Sequence, residues 1–402
     1  MDQGKEKIAY LREQLNIAPD VIAVNNGSWG PLCQAALHKI ADEYYKDSVL
    51  RRCESTDFMS VMHRCLNEDR EELAKFFGCS TDEVALTEST TTGMNICLWG
   101  LNLEPGDEII STQLENGAGF AVLNTIEARR KVTVKYADLG RVGEKDAVKA
   151  IEELITPKTK AVLVSHVIYV SGVSVDAKGI CDLCRKHGIF TVFDGVQAAG
   201  TREIDVKGIG CDAYCIARHK FLGGPDGAGA LYIRKESLPL VEPTISGVFT
   251  DQRHCREGYH PFDTAARFDV STRPFHVQAG AAATMHWLRT EVGFDFMYER
   301  IGRLRNKLYD LLSEIKNVEL YSIRERSESS ALILFRLKNM SQKELSEFLI
   351  SKKIYNRPVE HYYPPKYLEE EKIYGVRLSI SYWNTDEDVE KIAAAVKEAA
   401  EK

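Results

Sequence analysis

No apolar run in the 402 residues is long enough to cross a bilayer, so no membrane partner is expected. The first ten residues, M-D-Q-G-K-E-K-I-A-Y, lack the apolar core of a secretory signal, and a cytoplasmic location follows as the expectation. Positive charge is not in excess. Lys and Arg number 52 against 59 Asp and Glu, a net charge of −7, which excludes a basic surface for nucleic acid. Internal repeats and low-complexity linkers are absent. So is a cysteine framework: the ten cysteines are scattered and many sit in apolar runs, as Cys97, Cys181 and Cys215 do. That reads as buried free thiols in a reducing compartment. Cys181 and Cys184 form a C-x-x-C, but without a second pair. Their run, D-A-K-G-I-C-D-L-C-R-K-H-G, has the apolar spacing of an amphipathic helix, so they are read as packing residues and no metal is expected.

What remains is an ordinary globular composition, 44% hydrophobic and 28% charged, in a chain long enough for two cores. Strand and helix alternate through the first two thirds. A short helix over 1–20 leads to V-I-A-V-N-N-G-S-W-G-P-L at 21–32, a loop punctuated by Gly27, Gly30 and Pro31. Helical sequence runs to Phe77. Strands are predicted at 84–87, 107–113, 132–137 and 160–167, with helices between, including one over 144–155. The segment 241–266 is poorly patterned. Helical sequence follows from His276 to Ile315. A smaller α+β region closes the chain, with strands at 318–322, 330–337 and 376–383 and a helix over 341–351.

The stretch from Thr191 to Arg234 organises the rest. T-V-F-D-G-V-Q-A-A-G is an apolar strand ending in Asp194. C-D-A-Y-C-I-A-R-H-K is another, ending in His219-Lys220 and a run of glycines. A carboxylate and a lysine at neighbouring strand ends suit pyridoxal 5′-phosphate. That cofactor needs a lysine for its aldehyde and an acid that keeps its ring nitrogen protonated. Upstream, T-T-T-G-M-N-I-C-L-W-G-L opens a helix at Thr90, Thr91 and Thr92, where free N–H groups and the helix dipole favour an anion.

D-G-V-Q-A-A-G followed by H-K-F-L-G-G-P-D-G-A-G resembles the class V aminotransferases of pyridoxal-phosphate fold type I. The resemblance runs nearly end to end. It implies an α/β fold with a mostly parallel seven-stranded sheet in residues 21–275, and a smaller α+β domain from 1–20 and 276–402. It implies a homodimer with shared active sites. Thr90 and Thr91 then cup the cofactor phosphate, Asp194 pairs with the ring nitrogen, Gln197 bonds the ring oxygen, His219 contacts the phosphate and Lys220 is the catalytic lysine. Thr272, in R-F-D-V-S-T-R-P, reaches the phosphate of the partner subunit. The loop at 21–32, with Asn26, lines the substrate pocket. Arg377, in V-R-L-S-I-S-Y-W-N-T-D-E-D-V, takes the substrate carboxylate as a bidentate fork.

Three positions depart from the family. Asn116 stands where an aromatic residue stacks on the cofactor ring, Tyr169 where an asparagine touches cofactor and substrate, and Ala217 where a hydroxyl adds a phosphate contact, with Arg218 as a possible replacement donor. His166 is read as a strand-end histidine. Within the family the sequence is closest to cysteine and cystine C–S lyases. Desulfurases carry a nucleophilic cysteine in the loop before the substrate arginine, and here 356–375 contains none. The expected activity is therefore β-elimination to pyruvate, ammonia and a thiol or persulfide. A desulfurase, or an epimerase or aminotransferase of the same family, is the alternative. Cys255, between Arg253 and Arg256 in an irregular segment, is read as a surface thiol without a role; the alternative is a thiol made reactive by the two arginines.

Overall fold

The computed structural model describes residues 3–51, 58–247, 250–252, 258–270, 272–325, 330–361, 363–364 and 372–402. Cys255 and Tyr362 lie outside the described residues. The apolar runs between Val84 and Ile233 become the strands of one sheet. They are β1 (Val84–Thr87), β2 (Glu108–Thr112), β3 (Thr133–Ala137), β4 (Thr159–Ser165), β5 (Phe190–Asp194), β6 (Ala213–Ala217) and β7 (Gly229–Ile233). Their order is β1-β7-β6-β5-β4-β2-β3. Only β7 runs antiparallel to its neighbours. Strands β5, β6 and β7 are buried at every position, which is why they read as continuous apolar runs rather than alternating ones.

The helices cover both faces. They are α1 (Gln3–Gln14), α2 (Gln34–Tyr45), α3 (Phe58–Phe77), α4 (Thr90–Gly100), α5 (Gly117–Arg130), α6 (Ala147–Glu152), α7 (Ala177–Lys186), α8 (Val206–Ile209), α9 (Phe275–Trp287), α10 (Phe294–Ser313), α11 (Gln342–Ser351) and α12 (Asp386–Ala400). Period-2 geometry splits each strand between two cores: Val192 and Cys215 pack with Met94 and Leu98 of α4, while Phe193 and Tyr214 pack with Leu73 and Phe77 of α3. Cys181 and Cys184 face the sheet from α7, buried, and burial pushes both thiols up to about 12. They are packing residues, as their helical spacing implied.

A second sheet, β10-β11-β9-β8, is antiparallel throughout: β8 (Val318–Leu320), β9 (Leu332–Leu337), β10 (Arg357–Glu360) and β11 (Tyr374–Ser379). The chain's beginning is tied to this region. Ile22–Ala23 pairs in parallel with Ile354–Tyr355, and Asn25 bridges to Ser379. Ile22 and Val24 accordingly pack in the core of the second sheet, whereas Ile8 and Leu11 of α1, with Leu15 just after it, pack in the core under the large one.

The single helical run expected over His276–Ile315 is divided. After Trp287 it passes through a π-turn, Leu288–Val292, and breaks at Gly293, whose φ of 80° is open to glycine and costly for other residues.

Candidate active site

Parallel strands direct their C-terminal ends to one edge of the sheet, and loops leaving that edge converge there. Asp194 is the last residue of β5, and Lys220 follows β6 by three residues. Together with the start of α4 and the loop before α5 they line a cavity of about 760 Å³. The second sheet closes it from the other side with Arg357, Val359 and Arg377, and Tyr169 lies between.

The inner end is polar and well matched. Asp194 is 3% exposed. Its Oδ1 accepts from the Val196 N–H (3.0 Å) and its Oδ2 from Asn116 Nδ2 (2.9 Å). Burial raises the Asp194 carboxyl above its usual range, against those two donors and Lys220. Asn116 is also the N-cap of α5, its Oδ1 accepting from Ala118 N (2.7 Å) and Gly119 N (3.3 Å). An amide can do both because it carries an acceptor and two donors. Asn116 therefore holds Asp194 where the resemblance implied a stacking ring. Directly behind, the buried Glu115 carboxyl accepts from Thr112 Oγ1 (2.8 Å) and Ser165 N (3.1 Å), and burial pushes it up to about 7.

Burial also brings the Lys220 ammonium down to about 8; Asp194 opposes that shift and Arg377 adds to it. The mouth loop presses on the lysine from outside. Gly30 N donates to the His219 carbonyl (2.8 Å), and a Cβ at Gly30 would sit 2.0 Å from the Lys220 carbonyl oxygen, so only glycine fits. His219 is half-buried and its imidazole is pushed below its ordinary value, first by burial and then by Lys220. Thr90 is buried in the first turn of α4, which Ser89 caps through Thr92 N (3.1 Å). Thr91 lies beside it in the cavity wall.

The outer end is built from different parts. Arg377 is 4% exposed. Its Nη1 donates to the Tyr169 carbonyl (2.9 Å) and its Nη2 to Ser28 Oγ (3.1 Å). No carboxylate pairs with it among the described residues, and burial brings it down to about 10. The Tyr169 hydroxyl lies 3.0 Å from Nδ1 of His361, whose Nε2 lies 2.8 Å from the Gln113 carbonyl. A carbonyl only accepts, so Nε2 carries the proton and Tyr169 donates to Nδ1. Burial brings His361 down to about 4 and keeps it neutral.

Among the described residues, three buried polar atoms on cavity-lining residues have no partner: Thr90 Oγ1, Gln197 Oε1 and Arg377 Nε. Such atoms are rare in folded proteins and mark a place shaped for a polar guest. An aldehyde, a basic ring nitrogen and a phosphate, the three handles of pyridoxal phosphate, match Lys220, Asp194 and the α4 N-terminus.

The other residues named from the sequence are placed as follows. Asn26 does not line the cavity: its Nδ2 donates to the Ser379 carbonyl (2.8 Å), and Gly27, Ser28 and Trp29 face the space instead. Gln197 Nε2 donates to the Gly27 carbonyl (3.0 Å). Thr272 is exposed and outside the cavity. Arg218 is unavailable to a phosphate, because it is fully buried in a bidentate pair with Asp69 and also donates to Gln278 Oε1 (2.8 Å). His166 lies outside the cavity, its Nδ1 2.6 Å from the Tyr214 hydroxyl. Sequence reasoning missed Arg357, the cross-strand partner of Arg377, and His361 behind Tyr169. Arg357 in a short alternating strand facing an arginine strand was the available signal; His361 carried none.

The family model for aminotransferase class-V matches residues 27–392. A probable cysteine desulfurase of Xylella fastidiosa (strain 9a5c) is 29% identical over 334 residues, covering 81% of this chain and 78% of that protein. A cysteine desulfurase of Haloferax volcanii is 28% identical over 336 residues, covering 82% and 78%. Among solved structures, the cystine C–S lyase C-DES in complex with its reaction product cysteine persulfide superposes with a TM-score of 0.86 at 23% identity, over 96% of this chain and 99% of that one. An apo cysteine desulfurase from Thermococcus onnurineus NA1 superposes with a TM-score of 0.87 at 23% identity, over 98% of each chain.

Proposed function

The chain belongs to the class-V aminotransferase family, and from that premise we propose a pyridoxal-phosphate-dependent enzyme that cleaves the carbon–sulfur bond of cysteine- or cystine-type amino acids by β-elimination. The observation that carries the reading is the placement of Lys220 and buried Asp194 at adjoining strand ends, each acting on the other's charge, facing across one cavity an arginine with no acid partner among the described residues. When bound, the cofactor withdraws electrons from the substrate Cα and so acidifies its proton.

The residues then divide the work. Arg377 holds the substrate carboxylate through the donors it now directs at Tyr169 and Ser28 and through its free Nε. Lys220 Nζ takes the Cα proton, and an amine near pH 8 is a base in reach of neutrality. Asp194, held by Asn116 and Val196, keeps a proton at the ring nitrogen. Thr90 and Thr91, with His219, hold the phosphate. Loss of a thiolate or persulfide from Cβ leaves a fragment that water converts to pyruvate and ammonia. Thr272, exposed on this chain, is proposed to serve the partner subunit of a homodimer; sedimentation as a monomer that retains cofactor fully would remove that role.

A desulfurase is the second reading, favoured by the names of the curated relatives. Against it, 356–375 has no thiol. The two differ in product, because sulfur transfer to the protein leaves the carbon skeleton to be protonated to alanine. Incubation with cystine and with cysteine, with pyruvate and alanine quantified, tests this. Pyruvate as the dominant product supports elimination, and alanine as the dominant product overturns it.

A further inference from the structure

A second cleft, of about 820 Å³, lies beside the large sheet, lined by residues from the segment before α6, the start of α7, the segment around α8, and Ile323. At its inner end are His166 and Arg202. Arg202 Nη1 contacts Ser174 Oγ, whose own hydrogen points toward the His166 carbonyl (3.2 Å). No carboxylate pairs with Arg202 among the described residues, and burial lowers its pKa. A largely buried guanidinium with a single hydroxyl partner is an unusual expense in a fold, since its remaining donors lack a charge to complement. His166, also a lining residue, is 4% exposed and meets Tyr214 through Nδ1; with the phenol donating, the imidazole proton sits on Nε2.

The rim has the opposite sign. Glu144, Asp146, Asp176, Glu203 and Asp205 line it, against Lys145 and Lys178. Lys145 already pairs with Asp138 and Lys178 with Asp182. A plain anion meets a repulsive rim, and a plain cation meets Arg202. We propose that this cleft binds a small zwitterion of the amino-acid class, with its carboxylate on Arg202 and His166 and its ammonium toward the acidic rim. Ligation there reaches the active cavity by one strand end: the His166 N–H donates to the Asp194 carbonyl (2.9 Å).

The test is calorimetric titration of the loaded enzyme with sarcosine. Its secondary amine cannot form a neutral imine with the cofactor, so it is not turned over, and Arg377→Ala separates entry into the active cavity from binding in this cleft. The expected result is one saturable site per chain with the spectrum unchanged, weakened about tenfold or more in Arg202→Gln and retained in Arg377→Ala. Arg202→Lys, which keeps the charge and loses the fork, should weaken it less. It serves as the working variant if the glutamine form does not fold. Three results overturn the proposal: no saturable heat; binding lost in Arg377→Ala but kept in Arg202→Gln; or acetate binding as tightly as sarcosine. Because binding is read without turnover, failure of the elimination chemistry leaves this result intact.

Discussion

The two ends of the active cavity are built differently. The inner end comes from strand termini of the buried parallel sheet, and its carboxylate is matched: Asp194 has two donors, and Asn116 is a helix cap and a donor at once. The outer end comes from the second sheet and a loop, and it holds an arginine with no acid partner among the described residues and a tyrosine fixed by a neutral histidine. The contrast teaches where each function sits. On the proposed reading, groups that hold a cofactor and move a proton stand on the buried sheet, while groups that take the substrate stand on the second sheet and the loops facing it.

The sharpest break of that contrast is Lys220→Ala. It should lower pyruvate release by about 10³-fold or more and abolish the borohydride-reducible cofactor link. A link that persists would move the catalytic lysine elsewhere. Arg377→Ala should leave the cofactor's visible absorbance alone and raise KM, with about 2–5 kcal/mol of substrate binding lost, because a buried carboxylate is left unpaired. An unchanged KM would take the outer end out of the substrate site.

A pH series separates the ends by stability. His361 is held near 4 in the fold against about 6.5 when unfolded. The unfolded chain therefore binds a proton that the native chain does not, and stability falls as pH drops through that window. The loss is about 2–3 kcal/mol by pH 4, reduced in His361→Gln. Equal acid sensitivity of the two proteins would contradict the buried neutral assignment. The smallest effect is Tyr169→Phe. It removes one hydroxyl–imidazole bond, so KM should shift by less than about tenfold with cofactor retention unchanged. Loss of cofactor in this variant would show that the two ends are one unit.

How much of this was legible in the sequence follows the same division. Asp194 and Lys220 could be found because apolar strands end in them, and Thr90 because a helix begins there. The fold class was legible from strand–helix alternation together with the family motifs. The roles of Asn116 and Arg218 were not, since each depends on a partner far along the chain: Asp194 lies 78 residues from Asn116, and Asp69 lies 149 from Arg218. Asn26 misled because a loop residue beside a pocket can face either way, and its amide turns to the Ser379 carbonyl. His361 reaches Tyr169 across 192 residues, a meeting that no local pattern announces.

The central claim is that sulfur leaves with the substrate fragment and never rests on the protein. Intact-mass spectrometry of the enzyme, sampled during turnover of cystine, tests it directly, with Cys255→Ser measured in parallel. The account predicts continuing pyruvate release, no mass gain of one sulfur on any of the ten cysteines, and an unchanged rate in Cys255→Ser. A persulfide that forms and decays at the turnover rate, or collapse of activity in Cys255→Ser, would contradict it.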